Sequence, residues 1–535
     1  MKKLFNILPV VVLTVTLVLF YTSIPAQDDL KNIAELSMPL TDKKLVIAHC
    51  MTNIVRYNNH PFEDGCNSQY YSPENNATSS IGGYTQVKAM TDEWMKNASL
   101  DEAVEFEMKA ALKAGIDGFQ FYYTLNPASD DIIKAYFRVA DKKNIDFKFT
   151  FCISHPSGST EEKKINAFAG RINGILDEVR RDNKHWLRTP DGRLIIYLWY
   201  GEQIADIPAA KTKLPNAYYE ALAFKKLSTA VKDNFACVYL INENISDKKL
   251  DEYLDYFPAV WVWTLTWKKD YIGKKVADAC KRRGRTFTGS VFCDFYTSKL
   301  LTPGTWDILK ANDAVTAGVK GLERKALVTG LSYNFRKLLE FNLDRDVSLM
   351  NVITWNDYPE GHHLAPEENH NDGFSVLLQY YKSVWKKEPS PYQNKDIALV
   401  FFKKYKHNIQ PSPYNIPLIF FQEGTGKPAS EDFIEVVTIL KHNATVTMNN
   451  KTVSVGAGLS TIKFDYVTGP VKINIERDKK PLLEFITPEV ITDRPVRTDR
   501  LTYSYTSETK IWNKELQELA NTIQNSNTII NKSIQ

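Results

Sequence analysis

The sequence predicts a (β/α)8 barrel followed by an antiparallel β-sandwich domain. The first observation is that eight apolar, strand-like runs alternate with amphipathic helical periods up to Lys387. The second is a change after Lys387, where Pro389 and Pro391 precede short alternating strands separated by turn residues. The third is the length of 535 residues, which suffices for a large barrel and a further domain. A doubly wound open sheet would also alternate strands with helices, but eight strands is the number that closes a barrel.

The predicted barrel strands are near-continuous runs of Val, Ile, Phe, Tyr and Trp, as a parallel sheet buried on both faces requires. They are Leu45–Cys50, Gly118–Tyr123, Phe147–Ile153, Leu194–Trp199, Ala236–Ile241, Ala259–Leu265, Thr286–Phe295 and Leu349–Trp355. The helical periods are Leu100–Ala114, Ile132–Lys143, Ile165–Arg180, Leu222–Lys232 and Phe374–Trp385. We expect Gly115 to end the first helix, and Asp130 and Ser246 to cap the N-termini of the helices that follow them.

The C-terminal part has the pattern of short antiparallel strands. The predicted strands are Ile397–Phe402, Ile416–Phe421, Phe433–Leu440, Ala444–Met448, Thr461–Phe464, Val471–Ile475 and Leu482–Ile486. From about Ser507 the chain is helical, with Leu516, Leu519 and Ile523 on one face. These patterns divide the chain into a signal peptide (1–26), a barrel (40–388), a β-sandwich (392–506) and a helical tail (507–535).

The N-terminus has the layout of a secretory signal peptide. Lys2 and Lys3 precede a largely apolar run, Ile7–Phe20, and the small-residue stretch Tyr21–Ala26 follows it. We expect cleavage after Ala26 and a secreted or periplasmic protein with no membrane span after cleavage. An uncleaved N-terminal anchor is the alternative, because the apolar run is long for a signal peptide.

Composition excludes several classes of protein. With 67 Lys and Arg against 63 Asp and Glu, the net charge of +4 gives no support for nucleic-acid binding. An average apolar content with 24 Gly and 24 Pro excludes a disordered or collagen-like chain. Six Cys are too few for a disulfide framework, although Cys50 and Cys66 flank a polar loop and could pair. We expect a monomer.

The chemistry of a barrel enzyme lies at the C-terminal ends of its strands and in the loops that follow. At these positions the sequence collects aromatic rings, carboxylates and amides. Apolar sugar faces stack on such rings while hydroxyls bind the polar groups, so we expect a polysaccharide or oligosaccharide as substrate. The predicted sugar-binding residues are His49, Tyr123, Trp199, Glu202, Trp263, Asp294, Trp355, Asn356, Tyr358 and His362.

Asp357 and Glu360 are the predicted catalytic residues. They lie three positions apart after the last barrel strand, beside Trp355 and Pro359, so both can point into one cleft. Glycoside hydrolysis needs two carboxyl groups, one as proton donor and one that activates water or attacks carbon. An Asp-x-x-Glu pair alone is more often an ordinary solvated pair. Its place at the end of the eighth strand favours the catalytic interpretation.

The same loop contains a polar run that resembles a metal site. The run comprises His362, His363, Glu367, Glu368, His370 and Asp372. Metal-binding His pairs usually need a defined spacing, such as i,i+4 on a helix. Adjacent histidines point apart, and Pro366 interrupts any helix here. We therefore expect neither a metal nor another cofactor.

The strand-eight segment carries a family resemblance. Residues 354–366 read TWNDYPEGHHLAP, which resembles the motif that closes the barrel of glycoside hydrolase family 71, the α-1,3-glucanases. Val46–His49 resembles that family's first strand, and Leu112–Phe119 resembles its helix leading into strand two. Tyr200-Gly201-Glu202 falls where the family has serine-glycine-glutamate. The resemblance spans roughly residues 44–388 in patches.

Two departures leave the sugar open. Pro359 and Gly361 replace a glycine and a serine of the family 71 motif and shift it toward family 99, whose members cleave α-mannans. Both resemblances imply that Asp357 and Glu360 are the catalytic pair; we assign Glu360 as proton donor and Asp357 as base. The resemblance implies an endo-1,3-α-glucanase. The alternatives are an α-mannan-cleaving hydrolase, a barrel that binds glycan without cleaving it, and a metal-dependent hydrolase.

Overall fold

The computed structural model describes residues 40–58, 89–208, 214–297, 300–301, 308–309, 324–409, 418–421, 431–495 and 500–533. The predicted signal peptide and Cys66 lie outside the described residues. Within the described ranges, no helix combines the length and the apolar character that a membrane span requires.

The N-terminal part is built on a parallel sheet. In chain order the strands of this N-terminal part, inside and outside the parallel sheet, are β1 (Leu45–Cys50), β2 (Gly118–Tyr123), β3 (Lys148–Ser154), β4 (Leu194–Trp199), β5 (Phe235–Leu240), β6 (Ala259–Trp261), β7 (Thr286–Phe287), β8 (Gly289–Val291), β9 (Leu300–Leu301), β10 (Ile308–Leu309), β11 (Arg324–Leu327) and β12 (Leu349–Val352). The parallel sheet has the order β7-β6-β5-β4-β3-β2-β1-β12-β8, while β9 and β10 form a separate antiparallel pair.

The sheet closes into a barrel through its seventh segment. β7 pairs with β6, and β8 pairs with β12 at the other edge of the sheet. Only Thr288 separates β7 from β8, and its N–H donates to the carbonyl of Val260 at 3.0 Å. β7 and β8 therefore act as one barrel strand, and the predicted (β/α)8 barrel is confirmed.

Helices surround the barrel and follow the predicted periods. They are α1 (Met90–Trp94), α2 (Leu100–Ala114), α3 (Ala128–Lys143), α4 (Glu161–Val179), α5 (Asn216–Val231), α6 (Asp247–Tyr256), α7 (Ile272–Arg283), α8 (Tyr333–Asp344), α9 (Gly373–Lys386) and, at the C-terminus, α10 (Thr509–Ser533). Gly115 ends α2 in the left-handed conformation at φ 99°, and Ser246 caps α6. The prediction for Asp130 was wrong, because α3 begins at Ala128 and the Asp130 side chain binds Arg171 instead.

The C-terminal part is the predicted β-sandwich. Its strands are β13 (Ile397–Lys403), β14 (Leu418–Phe421), β15 (Phe433–Leu440), β16 (Ala444–Met448), β17 (Lys451–Val455), β18 (Gly458–Asp465), β19 (Gly469–Arg477), β20 (Lys480–Ile491) and β21 (Thr502–Thr506). Two four-stranded sheets, β18-β15-β13-β21 and β17-β16-β19-β20, enclose an apolar core. β14 differs from the expectation, since it pairs in parallel with β11 and joins neither sheet.

β13 connects the two parts because its alternate side chains face opposite sides. Val400 and Phe402 are buried in the core of the sandwich, whereas Leu399 and Phe401 belong to the core of the barrel. All seven residues of this strand are buried. The first sheet of the sandwich is therefore also a wall against which the barrel packs.

Buried ion pairs connect the barrel and the sandwich. Lys403, the last residue of β13, places its Nζ 3.3 Å from both carboxylate oxygens of Asp294, which follows β8. The same Nζ lies 3.4 Å from Glu431, and Thr502 donates its N–H to Asp294 at 2.6 Å. Because all three charged side chains are buried, the Lys403 ammonium compensates two carboxylates that water cannot reach.

The C-terminal helix returns to the barrel. Leu516, Ala520 and Ile523 on one face of α10 are buried in the barrel's apolar core. Glu515 pairs with Lys113 at the end of α2, whose Nζ also lies 4.3 Å from the centre of the Trp512 ring. The α10 helix thus packs on the first part of the barrel rather than on the sandwich alone.

We expect Lys403→Met to destabilise the protein strongly. The substitution removes the lysine shared by the buried Asp294 and Glu431 carboxylates, which keep His370 at 3.7 Å and Arg500 at 3.7 Å respectively, at a cost of about 3 kcal/mol. Urea unfolding followed by tryptophan fluorescence measures the change. Lys404→Met is the matched control, because its partly exposed pair with Glu489 should contribute about 1 kcal/mol or less. Equal destabilisation by the two variants would contradict the role given to Lys403.

Candidate active site

Five aromatic side chains from different strands meet at the C-terminal end of the barrel. His49 is the last but one residue of β1, and its ring centre lies 5.8 Å from Tyr122 of β2 and 5.1 Å from Trp263, which follows β6. Trp199 of β4 lies 5.9 Å from Tyr122 and 5.5 Å from Trp263. His362, after β12, lies 6.2 Å from Trp263. We call these five residues the aromatic cluster; Tyr122, Trp199 and Trp263 are only half-buried, so their rings reach solvent.

The two predicted catalytic carboxylates lie beside this cluster. A single 3₁₀ turn, Tyr358–Glu360, follows Asp357 and brings both side chains to the same imidazole. The Nε2 of His362 lies 3.2 Å from an oxygen of Glu360 and 3.9 Å from an oxygen of Asp357. One oxygen of each carboxylate lies within 4.8 Å of the other. Asp357 and Glu360, three positions apart in the sequence, therefore place their carboxylates side by side.

Backbone hydrogen bonds fix this loop against the barrel. Tyr296, after β8, donates its N–H to the carbonyl of Glu360 at 3.0 Å. Gly361 follows with φ 68°, and a Cβ there would lie 2.6 Å from a methyl group of Leu501 and 3.1 Å from the Tyr296 nitrogen. Glycine is therefore required by both conformation and space. The position of Glu360 depends on this turn.

The residues just before Asp357 bind the loop to β1 and α2. Trp355 donates its N–H to the carbonyl of His49 at 2.7 Å, and its indole N–H binds the Glu107 carboxylate of α2. The Asn356 side chain accepts from the N–H of Met51 at 2.8 Å and donates to its carbonyl at 3.0 Å. These contacts make Trp355 and Asn356 positioning residues in the structure.

The histidine of β1 is uncharged at neutral pH. Burial, with a smaller contribution from the neighbouring His362, lowers the pKa of His49 to about 3. Its side chain is 2% exposed. His49 is therefore a buried, neutral member of the aromatic cluster.

Of the predicted sugar-binding residues, four lie in the aromatic cluster: His49, Trp199, Trp263 and His362. Glu202 lies at the rim, in the 3₁₀ turn after β4, and burial raises its pKa. Its charge contributes to the raised pKa of Glu220 on α5, which places it on the side of the helices. Binding roles for all five residues stay predictions.

The other predicted sugar-binding residues lie away from the cluster. Tyr123 points outward, with its ring centre 4.8 Å from Phe151 and its hydroxyl donating to Asp130 at 3.0 Å. The prediction of Tyr123 was wrong, because the adjacent Tyr122 is the residue of this strand that faces the aromatic cluster. Asp294 is corrected as well, since it is 1% exposed and pairs with Lys403 between the two parts of the chain.

The remaining corrections concern the motif itself. Trp355 is fully buried, with its ring centre 5.8 Å from Phe119 on the helix side of the sheet, and Asn356 is 1% exposed. The Tyr358 ring is also buried, 4.5 Å from the His363 ring. These three side chains hold the loop and do not line the cluster.

Sequence reasoning missed residues that strand parity could have found. His49 is level with Gln120 in the register of β1 and β2, and Tyr122 lies two positions after Gln120 on the same face. Phe295 is a second omission: it stacks on His362, with ring centres 5.8 Å apart at 20°. No local pattern distinguishes Phe295 from other buried aromatics.

Two groups of side chains among the described residues have the donors and spacing for a metal ion. One is Asp357, Glu360 and His362; the other is His363, Glu367 and His370, which is fully buried. As expected from the sequence, the adjacent histidines point apart, because His362 faces Glu360 while His363 faces Glu367 at 3.6 Å. The first group coincides with the predicted catalytic pair, so the pair's chemistry needs a direct test.

Comparison with known proteins assigns the segment that carries this loop. Residues 335–506 match the sequence model of glycosyl hydrolase family 71. The matched segment runs from within α8 through β12 and the loop with Asp357 and Glu360 to β21. It confirms the resemblance seen in the strand-eight motif. No curated protein shows a sequence match.

This chain is also similar to two solved glycoside hydrolase structures. The GH99 endo-α-mannosidase from Bacteroides thetaiotaomicron is 12% identical, with 65% of this chain and 98% of that chain covered at a TM-score of 0.41. A glycosyl hydrolase family 2 member from Bacteroides cellulosilyticus is 11% identical, with 83% and 46% covered at a TM-score of 0.40.

We expect the stability of the Glu107→Gln variant, relative to that of the unsubstituted protein, to increase as the pH rises. Burial raises the pKa of Glu107 from 4.5 to about 7, so the folded state binds this proton more tightly than the unfolded state. The resulting stability is complete below pH 4.5 and is lost as the pH rises through 7, a loss of up to about 3 kcal/mol. Glutamine does not titrate, and its amide oxygen can still accept the Trp355 N–H.

Urea unfolding at about pH 5 and pH 8 measures this difference. The stability of Glu107→Gln relative to the unsubstituted protein should increase between the two pH values. Glu105→Gln on the same helix is the control: Glu105 pairs with Lys109 and Lys143, so its loss should destabilise at pH 8. A Glu107→Gln variant with the same relative stability at both pH values would show that Glu107 is not held neutral.

Proposed function

We propose that this protein is an exported glycoside hydrolase that cleaves α-linked polysaccharide, as an endo-1,3-α-glucanase. The observation that carries the proposal is the Asp357–Glu360 pair, whose oxygens lie within 4.8 Å of each other beside the aromatic cluster. The family 71 match covers both carboxylates. The N-terminal segment with the pattern of a signal peptide supports export.

In the proposed mechanism the two carboxylates divide the work. Repulsion between two carboxylates at this separation favours a state in which they share one proton. Glu360 donates that proton to the oxygen of the leaving sugar, and Asp357 acts as base or assists the attacking group. His362 contacts both carboxylates through one nitrogen, so it can hold their orientation.

The aromatic cluster supplies the binding surface in this proposal. The half-buried rings of Tyr122, Trp199 and Trp263 offer apolar faces on which pyranose rings can stack. The buried, neutral ring of His49 contacts Tyr122 and Trp263. The ring contacts extend from His362, next to the carboxylates, to Trp199 at the end of β4. A glycan bound along this line would pass the carboxylate pair.

An α-mannan is the second candidate substrate. Pro359 and Gly361 move the motif toward the pattern of the α-mannan-cleaving family 99. Both candidates use the same carboxyl pair, so they differ only in the sugar. Products from insoluble α-1,3-glucan, α-1,6-mannan and starch, separated by size, distinguish the two and show whether cleavage is internal.

We expect Asp357→Asn and Glu360→Gln each to reduce turnover by roughly 10²–10⁴-fold, because each removes a group that transfers a proton or activates the nucleophile. Reducing-end assays on the cleaved glycan measure turnover. Asp346→Asn is the control, since this exposed carboxylate pairs with Lys44 at the opposite end of the barrel. Near-normal hydrolysis by either active-site variant would refute the assignment, and glycan binding without any hydrolysis by the unsubstituted protein would favour a binding barrel.

A metal-assisted hydrolase is the alternative that the Asp357, Glu360 and His362 group keeps open, because its three donors lie within 4.8 Å of one another. With carboxylic acid–base catalysis we expect hydrolysis to be unchanged after dialysis against EDTA. Activity that disappears on dialysis and returns with Zn²⁺ would instead assign these residues as metal ligands.

A further inference from the structure

A pair of stacked rings lies next to the aromatic cluster, in contact with Trp199. His155 directly follows β3, and Tyr200 directly follows β4. Their ring centres are 5.2 Å apart, and the ring planes are inclined by only 13°. We call His155 and Tyr200 the stacked pair. Both side chains are exposed, Tyr200 to 38%.

The backbone places these two rings side by side. β3 and β4 run in parallel with Ser154 level with Trp199, so the next residue of each strand is a neighbour of the other. Both residues leave the strand in the left-handed region, at φ 42° for His155 and φ 55° for Tyr200. Left-handed backbone is uncommon for bulky residues and often occurs at functional sites.

The turn after Tyr200 depends on a close backbone approach. A Cβ at Gly201 would lie 2.6 Å from the carbonyl oxygen of Ile153, so only glycine lets the chain pass this close to β3. Gly201 then starts the 3₁₀ turn that ends at Ile204. The chain therefore brings a large aromatic residue to the surface just before an obligatory glycine.

Trp199 connects the stacked pair to the aromatic cluster. Its ring contacts both members edge-to-face, with centre distances of 4.9 Å to His155 and 4.9 Å to Tyr200. The path from the carboxylates to the stacked pair runs over His362, Trp263 and Trp199. The stacked pair is thus the outer end of a continuous aromatic track rather than an isolated surface feature.

We propose that the stacked pair is a distal sugar-binding subsite, which binds a pyranose ring of an extended α-glycan remote from the bond being cleaved. The proposal rests on the proposed function. An exposed, preorganised ring offers a flat face to the C–H groups of a sugar. Burial lowers the pKa of the His155 imidazole, on which Tyr200 stacks. Gln203 lies beside His155 and can bind sugar hydroxyls through its amide.

The test compares substrates of different length. Tyr200→Asn removes the ring while keeping a residue that tolerates the left-handed backbone. On long α-1,3-gluco-oligosaccharides we expect kcat/KM to fall about three- to tenfold, and on the shortest cleaved oligosaccharide we expect no change. Tyr200→Phe keeps the ring and should retain the activity of the unsubstituted protein on all lengths. Tyr333→Ala is the matched control, because this tyrosine is 41% exposed and its ring faces Lys337 on its own helix.

The outcomes separate this inference from the proposed function. If the unsubstituted protein hydrolyses the oligosaccharides and Tyr200→Asn loses nothing, or loses equally at every length, the subsite is refuted while the hydrolase stands. If no glycan is hydrolysed, calorimetric titration with the longest oligosaccharide replaces the assay. Weaker binding by Tyr200→Asn, with unchanged binding by Tyr333→Ala, supports the subsite. Equal binding by both, or none by the unsubstituted protein, refutes it.

Discussion

The pairing of β12 with both β1 and β8 is the constraint on which the rest of the structure depends. β12 is the last barrel strand in the chain and lies between the first strand and the seventh, so its hydrogen bonds close the sheet. Closure brings the C-terminal ends of all strands to one rim. The loop that follows β12 is then bound to β1 through Trp355 and to the end of β8 through Glu360. The carboxylate pair is positioned by the same contacts that complete the barrel.

A second constraint comes from the β-sandwich, which is not separable from the barrel in the described structure. β13 gives alternate side chains to the two cores, and Lys403 at its end is paired with Asp294 from the barrel. Buried charges are tolerated only with compensating partners, so these ions fix how the two parts meet. The family 71 match likewise runs across this boundary, from α8 to β21. The loop with Asp357 and Glu360 lies within this matched segment.

The fold could be predicted because its signals are local, whereas much of the site could not. A near-continuous apolar run, such as Leu194–Trp199, specifies a strand buried on both faces wherever its partners lie. Asp130 shows the limit of such signals: it resembles a helix cap, yet Arg171 from the next helix binds it. Tyr122 and Tyr123 are adjacent and chemically identical, but only one of them faces the barrel rim. Asp294 follows β8, as a sugar-binding carboxylate at the rim would, but it is buried and pairs with Lys403, 109 positions later.

The sequence by itself determined the barrel, the sandwich that follows it and the loop with Asp357 and Glu360, because hydrophobic periodicity and the strand-eight motif are written in consecutive residues. The tertiary structure alone decided which side chains reach the rim. Which side chains reach the rim depends on strand register and on partners from distant segments. The Trp355 indole N–H donates to Glu107, the Asn356 side chain accepts from the Met51 N–H, and Asp294 pairs with Lys403. The stacking of His155 on Tyr200 has the same origin, since parallel pairing of β3 and β4 sets their side chains next to each other.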